Sequence, residues 1–164
     1  MNNVIFLDID GVLNCSTTTE TIGGNSSIMG VEPAKVALLR ELVEETNAII
    51  VLISSWKDGW NKENKSYQDS ACTYLEAMLA AEGLEIEDAT LDNWTDRGYG
   101  IATYLDENDV DAWVVLDDEI FEDYEEYDIM PHLVQTSFED RGLTPSLVND
   151  AIDIMDKQRY KKYW

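Results

Sequence analysis

The stretch Val4 to Asn14, VIFLDIDGVLN, constrains the chain more than any other. Val4-Ile5-Phe6-Leu7 is an unbroken apolar run that ends in Asp8, followed by Asp10 and Gly11. Such a run, closed by turn chemistry, predicts a strand buried on both faces of a parallel sheet. Residues two apart in an extended chain point to the same side, so Asp8 and Asp10 leave the strand end together. Gly11 lets the backbone turn away sharply. In open α/β sheets ligands bind at the carboxyl ends of the strands. Two carboxylates placed there repel unless a cation neutralises them or one holds a proton, and Mg²⁺ suits a few carboxylates plus water. The plain alternative is an acidic turn after a strand. A calcium loop fits poorly, because Val12 and Leu13 stand where its ligands belong and the flank is strand-like, not helical.

The same pattern recurs. Ala48 to Ile53 is a second apolar run and ends in Ser54 and Ser55, and Trp113 to Leu116 is a third and ends in Asp117 and Asp118. Shorter strands are predicted over 85–91 and 132–135. Helices are predicted from Pro33, with Val36, Leu39 and Val43 on one face; over 70–82, with Leu75, Met78 and Leu79 inward and Gly83 as its stop; over 98–108, with Ile101, Tyr104 and Leu105; and from Thr144-Pro145, a good cap and first-turn pair, through Met155. Strands alternating with helices predict a doubly wound parallel sheet with helices on both faces. The length of 164 residues suits one domain. Residues 15–32, rich in Ser, Thr and Gly, read as a flap-like loop beside the first strand, too short for a cap domain. The segment 56–67 is polar and irregular.

If the strands are parallel neighbours, Asp8, Asp10, Ser54 or Ser55, and Asp117-Asp118 meet at one edge. Each has a plain reading alone: either serine serves as a helix cap, and the Asp pair as a loop start. Together they fit phosphoryl transfer. One Asp attacks phosphorus, and the other protonates the leaving oxygen and later activates water. A hydroxyl at a helix N-terminus holds a phosphate oxygen. Mg²⁺, between the first Asp and an acid from another strand, offsets the charge. Arg97 and Lys57 are the candidate cations for the phosphoryl oxygens.

The order DIDGV, strand-Ser, basic residue, strand-Asp-Asp resembles the haloacid dehalogenase (HAD) superfamily of aspartate-nucleophile phosphatases. FLDIDGVLN, LISSWK, DRGYGIATYL, VVLDDE, HLVQT and GLT are most similar to the small HAD domains of Swiss Army Knife RNA-repair proteins. The resemblance implies a Rossmann-like sheet. It makes Asp8 the nucleophile and a metal ligand, and Asp10 the acid/base, with its carbonyl also on Mg²⁺. Ser54 takes the phosphate-binding hydroxyl role, with Ser55 the alternative one residue on. Arg97 takes the place of the motif-three cation, and Asp117 and Asp118 become the acidic pair, at least one of them on the metal. Lys57 stands where relatives often carry Arg.

Charge bears on the substrate. The formal net charge is -23, which repels polyanions, while a hydrophobic content of 45% is too high for a disordered acidic tail. Two local segments run the other way: Lys57, Lys62 and Lys65 among Trp56, Trp60 and Tyr67, and Lys157, Arg159, Lys161 and Lys162 among Tyr160, Tyr163 and Trp164. Interleaved cations and aromatics suit single-stranded nucleic acid, although a solvated loop and a helix C-terminus explain them as well. A Mg²⁺-dependent phosphatase acting on a small phosphomonoester such as a nucleotide is therefore the leading expectation. A nucleic-acid end phosphatase comes next, and a non-catalytic acidic protein on this scaffold is the third class. Intact Asp8 and Asp10 speak against the third. Cys15 and Cys72 form no disulfide framework, and with no signal peptide or membrane span this points to a cytoplasmic protein. His132 reads as structural.

Overall fold

A computed structural model describes residues 1–23 and 25–161. Five parallel strands form the main sheet: β1 (Asn3–Leu7), β4 (Ala48–Leu52), β5 (Ile86–Ala89), β6 (Ala112–Asp117) and β7 (Leu133–Gln135), in the order β5-β4-β1-β6-β7. The chain winds outward from β1 through β4 to β5, then returns to the other side of β1 for β6 and β7. The reversal puts the topological switch point between the ends of β1 and β6, the place where such sheets bind ligands. The register is flush there, with Leu7 opposite both Leu52 and Leu116. Beyond the regular pairing, Asp8 N–H still donates to Leu116 at 2.9 Å and Ile53 N–H to Leu7 at 3.0 Å. The expected doubly wound α/β sheet is the one found.

The strict alternation of β1 divides the core. Ile5 and Leu7 pack with Leu39 of α1 (Pro33–Thr46), Leu75 of α2 (Ser70–Ala80) and Met155 of α4 (Pro145–Lys161). Val4 and Phe6 face the opposite layer, with Ile101 of α3 (Arg97–Glu107). One helix cannot cover that face alone. The segment after β6 completes it, sending Tyr124 and Ile129 inward. The acidic residues around them mask these anchors in the sequence.

Local signals explain the helix ends. Thr144 caps α4 as expected, accepting from Leu147 N–H at 3.3 Å, and α4 runs to Lys161, beyond the expected Met155. Gly83, at φ +72°, closes the turn after α2, with Leu84 N–H reaching back to Leu79 at 2.9 Å. Asp69, unnoticed in the sequence, caps the start of α2 through Cys72 N–H at 2.8 Å.

Two differences from expectation stand out. The 15–32 flap contains an antiparallel pair, β2 (Thr21–Ile22) and β3 (Asn25–Met29). Its sequence shows no apolar alternation, so no strand was legible. It is a hairpin and not a cap domain. The irregular 56–67 segment contains two short 3-10 turns, Ser55–Gly59 and Lys65–Tyr67. The basic C-terminal cluster lies partly outside the described residues, which stop before Lys162.

Phe6 is fully buried and meets Tyr104 and Trp113 edge-on, with ring centroids 5.5 and 5.9 Å away. Phe6→Ala should cost about 3–5 kcal/mol, the usual range for a deleted core aromatic. Urea unfolding checks this; a loss below about 1 kcal/mol would contradict the assigned packing.

Candidate active site

β1 delivers Asp8, only 5% exposed, to the switch point. Gly11 then turns at φ +85°, and a Cβ there would come within 2.2 Å of the Asp118 carboxylate, so conformation and space both require glycine. The Thr136 hydroxyl, just past β7, donates to the Gly11 carbonyl at 2.5 Å. Asn14 completes the turn: its amide oxygen accepts from Gly11 N–H at 2.9 Å, and its NH₂ donates to Asp10 Oδ1 at 2.9 Å and to the Gly30 carbonyl at 3.0 Å. The other Asp10 oxygen accepts from the Trp56 indole N–H at 3.0 Å. Asp10 is therefore gripped at both oxygens.

β6 delivers Asp117, fully buried, and Asp118 after it. Asp117 Oδ2 accepts from Arg97 at 2.8 Å and from the Tyr124 hydroxyl at 2.5 Å, while Oδ1 accepts from Glu119 N–H at 3.0 Å. Arg97 is the first residue of α3 and also reaches Asp8 Oδ1 at 3.5 Å. Its guanidinium lies 4.2 Å from the centre of the Phe121 ring. Asp123 fixes the same helix end by accepting from Gly98 and Tyr99 N–H at 3.0 and 2.8 Å. The segment after β6 thus holds both the helix and the guanidinium in place.

Asp8, Asp117 and Asp118 bring carboxylate oxygens within 4.8 Å of one another. Burial first, and then the charges of Asp117 and Asp118, push the Asp8 carboxyl well above the usual carboxylate range, and Arg97 offsets only part of this. Asp118 is raised too, by burial first and then by the charges of Asp117 and Glu119, against a hydrogen bond with Asp8 that works to lower it. Burial works to lower Arg97, but the charges of Asp117 and Asp8 outweigh it and hold the guanidinium firmly protonated. Burial, then Asp117, raises Tyr124, so its hydroxyl remains a donor. One cation among three carboxylates leaves the cluster short of positive charge. A donor set made only of carboxylate oxygens suits a hard divalent ion such as Mg²⁺.

β4 delivers Ser54, 1% exposed, whose hydroxyl accepts from Trp56 N–H at 3.3 Å and so caps the Ser55–Gly59 turn. Ser55 is exposed. Lys57 turns toward the end of β5. Its ammonium lies 2.7 Å from Asp92 Oδ1 and 3.0 Å from the Thr90 hydroxyl, with side chains 9% and 6% exposed for Lys57 and Asp92. Lys57 nonetheless shares a small cavity, about 50 Å³, with Ser55, Trp94 and Arg97. Of the two candidate cations, only Arg97 reaches Asp8.

Of the residues expected from the sequence, Asp8, Asp117, Asp118 and Arg97 come together at the strand ends, while Lys57 turns to Asp92 and Thr90. Three carboxylates cluster as a group, and Asp10 stands apart from that group, turned to Trp56 and Asn14. The sequence reading missed Asn14, Trp56, Tyr124, Phe121 and Asp123. Asn14 lies within the stretch that drew attention, and its amide beside an Asp-Gly turn was a usable signal. Trp56, Phe121 and Asp123 act across long sequence separations and left none, and Tyr124, seven residues from Asp117, lies in an acidic stretch with no regular period. His132 stacks on Trp113 at 3.7 Å, a structural contact that fits its expected role.

Among the described residues, no helix is long and apolar enough to cross a membrane. No curated protein and no solved structure matches the chain. A family model described as the HAD domain in Swiss Army Knife RNA repair proteins matches residues 4–148, which takes in every strand of the main sheet and the first turn of α4. The chain belongs to this family of HAD domains.

Proposed function

We propose that the protein is a Mg²⁺-dependent phosphatase that cleaves phosphomonoesters through an aspartyl-phosphate on Asp8. Family membership supports a hydrolase-type enzyme of phosphatase kind. The observation that carries the finer reading is the meeting of Asp8, Asp117 and Asp118 with Arg97 at the switch point.

In this mechanism an Asp8 oxygen attacks phosphorus and the ester P–O bond breaks. Asp10 gives its proton to the departing oxygen and afterwards takes one from the water that cleaves the aspartyl-phosphate. The Ser54 hydroxyl and Arg97 hold phosphoryl oxygens, with Ser55 one residue behind. Asp8, Asp117 and Asp118 would hold Mg²⁺, with the Asp10 carbonyl as a further ligand, and the bound ion would offset charge on the transferring group. Trp56 and Asn14 fix the Asp10 carboxylate, and Tyr124 with Glu119 N–H fixes Asp117.

A small substrate such as a nucleotide is favoured. Lys57, Lys62 and Lys65, the cations of the 56–67 segment, are each paired with an acid: Asp92 at 2.7 Å, Asp88 at 3.6 Å and Glu76 at 3.0 Å. A strand of phosphates would have to compete with those carboxylates in a field of charge -23. The RNA-repair proteins after which the family is described favour a second reading, a nucleic-acid end phosphatase.

A panel of mononucleotides and 3′- and 5′-phosphorylated oligonucleotides, at low and at physiological salt, tests both. Mononucleotides should be hydrolysed with weak salt dependence, and Asp8→Asn should abolish turnover while beryllofluoride attaches only to the wild type. Wild-type turnover in Asp8→Asn would sink the mechanism, and a strong oligonucleotide preference at physiological salt would overturn the substrate choice.

Asp10→Asn should lower kcat by about 10²-fold, the scale of general acid–base catalysis. Trp56→Phe keeps the ring and loses the N–H, and should lower kcat about tenfold, as for one hydrogen bond to a charged group. Its KM should stay unchanged. A change confined to KM in either variant would show that these residues serve binding and not proton transfer.

EDTA should abolish turnover. Added Mg²⁺ should raise the melting temperature of the wild type as saturation linkage requires, and less in Asp118→Asn. Full activity after chelation, with no thermal shift, would rule the metal site out.

A further inference from the structure

The loop between β5 and α3, residues 90–96, carries a tryptophan that neither the sheet nor the catalytic reading uses. Trp94 is 84% exposed. Exposure alone would mean little, since isolated apolar surface residues are common, and Leu91 and Tyr67 are equally open. Trp94 differs from them in position. It lines the cavity that Arg97 and Ser55 also line. On its N-terminal side the loop is pinned by the buried contacts of Lys57 with Asp92 and Thr90. On its C-terminal side Asp96 accepts from Asn93 N–H at 2.6 Å. The chain is fastened before and after Trp94 while the indole itself is left without cover, on the wall that leads to the phosphoryl-binding guanidinium.

We propose that Trp94 is the stacking platform for the leaving group, and that the substrate carries a planar heteroaromatic group near its phosphate: a nucleoside monophosphate whose base lies on the indole. This rests on the phosphatase reading and narrows its substrate. An exposed indole offers a large flat face at little conformational cost, and stacking tolerates any base. The same wall adds Asp58 and Asn93, side chains able to meet the N–H and acceptor edges of a base. A groove of about 430 Å³, lined by Trp60 and Thr90 among others, shares Lys57, Asp58 and Asp92 with this cavity, so open space adjoins the small cavity. A sugar phosphate or glycerol phosphate has no flat face to place on Trp94.

The test compares wild type, Trp94→Ala and Trp94→Phe with Mg²⁺ on adenosine 5′-monophosphate, adenosine 3′-monophosphate and ribose 5-phosphate. Trp94→Ala should raise KM for at least one adenosine phosphate about tenfold, within the usual worth of one stacked base. Its kcat should hold, KM for ribose 5-phosphate should change less than about twofold on the same grounds, and Trp94→Phe should restore most of the loss. Equal effects on all substrates, or none, overturn the proposal. Quenching of tryptophan fluorescence by adenosine 5′-monophosphate in Asp8→Asn supplies a readout that needs no turnover: it should be strong, and largely lost in Asp8→Asn/Trp94→Phe. If no phosphomonoester is hydrolysed, the phosphatase reading falls while the quench still decides whether Trp94 stacks a base. Hydrolysis of ribose 5-phosphate with no quench and no Trp94 effect leaves the phosphatase and removes the platform.

Discussion

A single guanidinium among buried carboxylates sets the terms for the rest of the molecule. Arg97 reaches Asp117 at 2.8 Å and Asp8 at 3.5 Å, with Asp118 close by. Taking charges out of water is costly unless they are paired and hydrogen-bonded. Much of the surrounding structure supplies those partners. Tyr124 donates to Asp117, and Phe121 lies against the guanidinium. Asp123 pins the first turn of α3, which fixes where Arg97 begins. The residues after β6 therefore have two tasks at once: they close the second core layer and build the charged site. The cluster remains raised in proton affinity at Asp8 even so. The nucleophile role proposed for Asp8 needs its carboxylate ionised, and the shortage of positive charge is the physical argument for a divalent ion there.

How much of this was legible in the sequence follows from the range of each interaction. The parallel sheet was legible because its central strands are unbroken apolar runs, and a run of that kind has few other uses. Asp8, Ser54 and Asp117 were legible because each directly follows such a run, so topology alone brings them together. Arg97 stood out because cations are scarce and it opens a helix. Trp56 holding Asp10 could not be read, since the two lie 46 residues apart and an indole N–H has no sequence pattern. Tyr124 and Ile129 were hidden because their neighbours are acidic, and without a regular period an inward-facing residue in a loop looks like any other. The β2–β3 hairpin was missed because its strands, Thr-Ile and Asn-Ser-Ser-Ile-Met, are short and show no apolar alternation. Its backbone pairing leaves no mark that side-chain periodicity can report.

Lys57 shows how packing changes the meaning of a charge. In the sequence it joins Lys62 and Lys65 as a basic patch. In the folded chain its ammonium is buried against Asp92 and Thr90. The pair ties the end of β4 to the loop after β5, so Lys57 anchors one wall of the cleft and contributes little positive potential to it. Exposed pairs such as Lys65–Glu76 are worth little to stability, but they too cancel the field that would draw a polyanion in. Nucleic-acid affinity depends on unneutralised cations meeting phosphates. Lysines that already have carboxylate partners therefore support the proposed reading of a substrate with one phosphate over one with many.

Among the described residues no cap domain covers the site, and this places a further demand on it. Where a cap closes over the substrate, closure excludes water and completes the catalytic geometry. Here the insertion after β1 is a two-stranded hairpin, tied at its root by Asn14 to Gly30 and by Glu32 N–H to Leu13. Orientation must then exist before the substrate arrives. The grip on both oxygens of Asp10 meets that need, because Asn14 belongs to the same turn as Asp10 and Trp56 to the turn that Ser54 caps. Trp56 thus joins the two residues to which the proposed mechanism gives the acid/base and phosphate-binding roles, its backbone N–H on Ser54 and its indole N–H on Asp10. Positioning built into the resting fold removes an ordering cost from each turnover, and it leaves the outer face of the cleft open, where the leaving group must find its own contacts.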